Sequence, residues 1–229
     1  MRRTAYAFVA CVVLLALPAA AEEAVTISGG EYGRALLIKP AGARGSVILI
    51  PGGDGVMGIR PDGTFGSLRG NQLVRSRASY AGHGLAVLTV DRDASLSAAV
   101  EYMRKIAQPV ALVGTSRGTQ RAASAIASGA KPNAVVLTAG FLDDVRQTVG
   151  SPGALPRTLV VHHRQDQCRV TPPSAVDPFR QWGGAKVTVA WLDGGPGGQP
   201  YCQARSFHGF QGLDGQVVST VARFVLSAR

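Results

Sequence analysis

The segment PVALVGTSRGTQRAAS, residues 109–124, passes from an apolar run straight into small, helix-compatible residues. At the junction stand Gly114, Thr115, Ser116, Arg117 and Gly118. Gly-x-Ser-x-Gly is easily spelled by chance in a glycine-rich chain, so its surroundings decide its meaning. A strand entering and a helix leaving such a pentapeptide put the serine on a tight, strained turn, with its hydroxyl at the carboxyl end of a sheet. Glycines two residues to either side remove the side chains that would hold helix and strand apart. The segment therefore predicts a strand ending near Thr115, an exposed Ser116 nucleophile and a helix opening at Arg117. The first N–H of that helix, on Arg117, can face an oxyanion.

Working outward, the same alternation recurs. SVILIP (46–51), LAVLTVD (85–91), NAVVLTAG (133–140), TLVVHH (158–163) and KVTVAWLD (186–193) read as short strands. GNQLVRSRASYAGHG (70–84), ASLSAAVEYMRKIAQ (94–108) and LDGQVVSTVARFVLS (213–227) read as helices, the second with Asp93 or Ser95 near its cap. AVTIS and ALLIKP, joined by GGEYG, form a hairpin before them. Strands apolar on both faces and separated by helices imply an α/β fold with a mostly parallel sheet covered on both sides. The connection from 141 to 157 is too short for a large cap domain.

Residues 1–21 have the layout of a secretory leader. Arg2 and Arg3 precede AYAFVACVVLLAL, and small residues PAAA end it before Glu22. Cleavage after Ala21 is expected, leaving residues 22–229 as one domain that is exported, periplasmic or secreted, with no stable membrane insertion. Losing Arg2 and Arg3 lowers the formal charge from +10 to +8. The basic residues are mostly arginines scattered singly, without basic runs or interleaved aromatics, which points away from nucleic acid. Cys11 leaves with the leader. Cys168 and Cys202 are then an even pair in an oxidising compartment, and a disulfide between them is expected.

A serine nucleophile needs a base, and the base needs an orienting carboxylate. On a strand–elbow–helix scaffold the chain order is nucleophile, acid, histidine. His83 precedes the serine, and His162 and His163 precede the acid that should follow their strand and are read as core residues or as supports of the catalytic groups. His208, in an irregular loop before the last helix, fits the order. Asp166, just past TLVVHH, is the expected acid; Asp143, Asp144, Asp177 and, most strongly, Asp193 are its rivals. A second motif, Gly53-x-Gly55-x-x-Gly58, spells a dinucleotide fingerprint. That fingerprint needs a helix opening within the glycines, whereas IRPDGTFG follows with Pro61. Its ribose-binding acid, expected about 20 residues on, is also missing, since Asp91 stands 38 residues beyond Gly53. The loop better serves as the second oxyanion donor, through the N–H of Gly53 or Asp54.

GTSRG, the IPGGDG loop, Asp166 after its strand and His208 before the final helix resemble the α/β-hydrolase superfamily, in its compact members without a large cap. Dienelactone-hydrolase-like proteins and small carboxylesterases are the nearest pattern. The resemblance implies Ser116 as nucleophile, His208 as base and Asp166 as orienter, acting on a small-molecule ester or acyl substrate with no cofactor and no metal. The glycine loop departs from the His-Gly-Gly-Gly spelling of many lipases and esterases. A non-catalytic exported binding protein on the same fold is the alternative. Arg117, Arg164, Arg169 and Arg205 flank the expected catalytic groups. If two or more face the cleft, the substrate is expected to be anionic.

Overall fold

The computed structural model describes residues 21–227. The expected leader, Cys11 included, lies outside the described residues apart from Ala21. Eight strands share one sheet: β1 (Glu22–Thr26), β2 (Arg34–Ile38), β3 (Ser46–Ile50), β4 (Ala86–Val90), β5 (Val110–Thr115), β6 (Ala134–Thr138), β7 (Arg157–His163) and β8 (Val187–Leu192). Their order is β1-β2-β4-β3-β5-β6-β7-β8. β2 runs antiparallel to β1 and β4, and every other neighbouring pair is parallel.

Six helices cover the sheet: α1 (Gln72–Gly82), α2 (Leu96–Arg104), α3 (Arg117–Ala127), α4 (Leu142–Val149), α5 (Val176–Gly183) and α6 (Asp214–Leu226). Every residue of β3, β4, β5 and β6 is buried, because both faces of the sheet are packed. Ile48 and Ile50 join one core with α2, α3, α4 and α5, while Val47 and Leu49 join the other with α1 and α6. Burying a side chain of this size contributes roughly 1.5–3 kcal/mol.

The segments read as strands, and the four helices anticipated, appear where expected. Asn71 caps α1 and Ser95 caps α2, each side chain accepting a backbone N–H two or three residues on. The connection from 141 to 157 holds no large cap, as expected, but it contains α4, for which no helix was anticipated. Leu142, Val145 and Val149 give α4 its buried stripe, but Phe141 offers no capping side chain. α5 was also not anticipated; its N-cap, Ala175, makes no side-chain cap either, and Pro178 sits in its first turn, where no helical N–H is needed. α3 and α6 share the missing cap, so what sets α4 and α5 apart is their length of eight residues each, too short for a clear periodic stripe.

The strand order locates the site. From β3 the chain moves to β4 on one side, while β5 leads to β6 on the other. The carboxyl ends of β3 and β5 therefore flank a crevice where the topology reverses, the place where ligands bind in open α/β sheets. Cys168 and Cys202 form a disulfide beside it. Among the described residues no helix is long and apolar enough to cross a membrane.

Candidate active site

Ser116 joins β5 to α3 with φ 51° and ψ −124°, a region that non-glycine residues rarely occupy. Several contacts hold it there. Its N–H donates to the Thr138 carbonyl at 3.0 Å, and its own carbonyl accepts from the Thr119 N–H at 3.0 Å and the Thr119 hydroxyl at 2.6 Å. Close packing requires glycine at two neighbours. A Cβ on Gly118 would stand 2.1 Å from the Ile50 carbonyl oxygen, and one on Gly52 would stand 2.9 Å from Ser116 Cβ. No side chain fits either gap.

The loop after β3 is held from below by Asp91, which is fully buried at the end of β4. Its carboxylate accepts the backbone N–H of Met57 at 2.7 Å, Ile59 at 2.9 Å and Arg92 at 2.9 Å. Asp91 is thus the anchor of the glycine loop. Gly53, at φ 69°, and Asp54 present N–H groups that no backbone carbonyl accepts. The Arg117 N–H is one of the orphan donors at the start of α3.

Asp166 is buried just beyond β7. Its Oδ1 accepts the Cys168 N–H at 2.9 Å, and its Oδ2 lies 3.0 Å from His208 Nδ1. With a carboxylate against Nδ1, the neutral ring carries its proton there, leaving Nε2 with the lone pair. The Thr171 hydroxyl is a second neighbour of His208 Nδ1, at 3.1 Å.

His162 stands on the other side of Asp166. Its Nε2 is 3.5 Å from Asp166 Oδ2 and 3.1 Å from the Thr171 carbonyl, and its Nδ1 is buried without a partner. That pattern fits a neutral ring protonated on Nε2. Burial lowers its pKa to about 4, against an opposing pull from Asp166.

Ser116 and His208 line one cavity of about 540 Å³, together with Gly53, Arg69, Arg117 and Phe141. No hydrogen bond joins Ser116 Oγ to His208. Cys202 and the exposed Val170 stand in the same wall, so the disulfide borders the cavity directly.

The other candidates lie apart. Asp193 is exposed and pairs with Arg164 at 3.1 Å, and the Arg164 guanidinium stacks over Trp191. Asp143 and Asp177 pair with Arg146 and Arg180 on their own helices, and Asp144 accepts from Gln120. His163 is buried, bonded to the Gly194 carbonyl and stacked on Phe207, while His83 caps α1 at the surface. Of the four arginines expected near substrate, Arg117 alone lines the cavity; Arg164, Arg169 and Arg205 do not, the first because Asp193 and Trp191 hold it.

Sequence reasoning missed Arg69, Thr171 and Arg75, while His162 is a buried neighbour of Asp166, in keeping with its reading as a core or supporting residue. Arg75 of α1 donates to the carbonyls of Gly70 (2.6 Å), Ala204 (3.2 Å) and Gly209 (2.7 Å), and pairs through two nitrogens with Asp214. It ties the cavity wall to the His208 loop. A lone arginine in a helix 130 residues away carries no local signal of that role. Among the described residues, no group of three or more His, Cys, Asp or Glu side chains is placed to hold a metal ion.

No family model and no curated protein matches the chain by sequence. Solved structures do match in shape. A dienelactone hydrolase from Anabaena variabilis is similar at 16% identity, covering 92% of this chain and 97% of its own, with a TM-score of 0.62. Carboxyl esterase 2 from Tuber melanosporum is similar at 15% identity, covering 93% and 88%, with a TM-score of 0.63. An alpha-beta serine hydrolase homologue from Coxiella burnetii is similar at 15% identity, covering 92% and 100%, with a TM-score of 0.61. At such identities the likeness concerns architecture: the chain has the α/β-hydrolase fold, in a compact form without a large cap.

Proposed function

We propose that this chain is an exported serine hydrolase that opens an ester, lactone or related acyl bond through an acyl intermediate on Ser116. One observation carries the reading. Ser116, held in a strained elbow, lines the same cavity as His208, whose Nδ1 meets the buried Asp166 carboxylate. Ser116 Oγ attacks the carbonyl carbon while His208 Nε2 takes its proton. The N–H groups of Arg117 and of Gly53 or Asp54 hold the resulting oxyanion. Collapse of the intermediate expels the alcohol, which receives the proton from His208. Water, deprotonated by the same nitrogen, then releases the acid and restores the serine. Asp166 keeps the imidazole in the required tautomer and stabilises its charged form. The Ser116–His208 hydrogen bond forms with substrate present, as catalytic hydrogen bonds in empty sites are often long. The leader-like residues 1–21 and the Cys168–Cys202 disulfide support an oxidising, exported setting.

A fluorophosphonate probe tests the proposal. It should attach covalently to Ser116, disappear in Ser116→Ala, and label His208→Ala at least about 10³-fold more slowly. A non-catalytic binding protein on the same fold would take no label. Undiminished labelling of Ser116→Ala would place the nucleophile elsewhere.

A further inference from the structure

A second cavity, of about 560 Å³, adjoins the first. The two share Gly53 and Arg117, so the proposed oxyanion donors form the saddle between them. The second is a groove with the glycine loop at one end and Arg92, Ser95 and Ser97 along one wall. Its other wall is a polar stripe of α3, where Arg117, Gln120, Arg121, Ser124 and Ser128 recur at helical spacing.

Charge on that wall is not balanced. Arg92 is neutralised by Asp93 at 3.1 Å and stacks over Tyr32. Among the described residues neither Arg117 nor Arg121 makes an ion pair. Arg121 is partly buried, and its Nη2 donates only to the neutral carbonyls of Asp91 (3.0 Å) and Arg92 (2.8 Å). Its Nη1 is buried with no partner. The Asp91 carboxylate is engaged by three backbone N–H groups of its own. Burial accordingly pulls the Arg121 pKa below its ordinary value.

Two like charges at i and i+4 on one helix oppose each other, and the Asp91 and Asp93 carboxylates offset the Arg121 charge through space without bonding to its guanidinium. Among the described residues Asp54 is the only carboxylate in the groove wall, and its Oδ1 accepts the Val56 N–H at 3.0 Å. With Arg92 paired, the wall keeps one positive charge in excess.

We propose that this groove is an anion subsite of the catalytic cleft, in which Arg117 and Arg121 hold a carboxylate or phosphate on the part of the substrate that extends past Gly53. It rests on the reading of Ser116 as nucleophile. It narrows the substrate class to esters or acyl compounds with a distal negative group on a polar chain, which suits the serine hydroxyls opposite.

Two measurements test it, one of them independent of turnover. The inactive Ser116→Ala protein is titrated calorimetrically with glutarate and with inorganic phosphate at low salt. Saturable binding is expected, weakening as salt rises and falling at least about tenfold when Arg121→Gln is added. Because Arg121 also ties down two carbonyls, a second variant is needed. Ser124→Asp adds a negative charge at an exposed position of the stripe, touches neither carbonyl, and should cause the same loss. Wild-type kinetics then compare 4-nitrophenyl esters of glutarate and pentanoate. The charged ester should have the higher kcat/KM, and Ser124→Asp should remove the preference. Absence of binding together with equal kcat/KM for the two esters overturns the subsite and leaves the hydrolase intact. Binding that Ser124→Asp abolishes, in a wild type that cleaves neither ester, upholds the subsite and discards the hydrolase.

Discussion

The two sides of the cleft are built differently. Around Ser116 the backbone does the holding: strand end, elbow and helix start interlock through main-chain hydrogen bonds and gaps that admit only glycine. Around Asp166 and His208 there is almost no regular structure. Residues 194–213 form no helix or strand, and their shape depends on Arg75, the Cys168–Cys202 bridge and the Asp166, Thr171 and His162 cluster. Backbone-built geometry tolerates no change of shape, whereas geometry built from side chains responds to pH, redox state and single polar substitutions.

The sharpest way to break that contrast is Gly118→Ala. The added methyl meets the backbone carbonyl of Ile50, which cannot move without shifting the edge of β3. A loss of at least about 4 kcal/mol is expected in urea unfolding, the range of severe core strain. A loss below about 1 kcal/mol would show that the elbow yields, and the contrast would fail.

Next in size is the bridge. Replacing Cys168 and Cys202 together by Ser releases a loop closed across a sequence separation of 34 and should lower stability by about 3–4 kcal/mol in the chain-entropy account. If the two sides differ as described, hydrogen exchange should quicken around His208 while α3 keeps its protection. Uniform acceleration over both would mean that they unfold as one unit.

Smallest is a pH effect carried by His162. Its folded pKa of about 4 lies below the ordinary 6.5, so the unfolded chain takes up a proton first as pH falls. The stability owed to the neutral ring is complete above pH 6.5 and is lost as pH drops through about 4. Between pH 7.5 and 4.5 the loss from this group should be about 2–3 kcal/mol. His162→Gln, which keeps a donor toward the Thr171 carbonyl, should lack that part of the slope. Identical slopes in both proteins would assign the titration to other groups.

The same contrast explains what could be read from residues alone. Gly114, Ser116 and Gly118 are legible because local backbone geometry dictates the residue types, and the order of strands and helices follows from periodicity. That Asp166 and His208 meet could be anticipated from their place in the chain, although Asp193 stayed a rival until its pairing with Arg164 was known. Thr171 and Arg75 left no trace, since each acts on residues distant in sequence through a contact that any arrangement of loops could have made, whereas His162 was legible as a core or supporting residue from its place at the end of a buried strand. The arginines mislead for a related reason. Nearness to Asp166 or His208 in sequence says little in an irregular loop, where neighbours turn to opposite sides. Helical spacing is more reliable, but Arg117 and Arg121 gain meaning only once the groove between α2 and α3 is seen.

The bridge has a further consequence under the proposed export, which would bring the protein into contact with extracellular proteases. The segments flanking Tyr201 are exposed and rich in glycine, the sort of loop that proteases cut first. A single cut between residues 169 and 201 would separate the piece carrying Asp166 from the piece carrying His208. The sulfur bond lies outside the cut on both sides, so the two pieces stay tethered next to the Asp166–His208 contact. A nicked molecule can therefore keep its acid and its histidine together, and damage that would scatter an unbridged site becomes survivable.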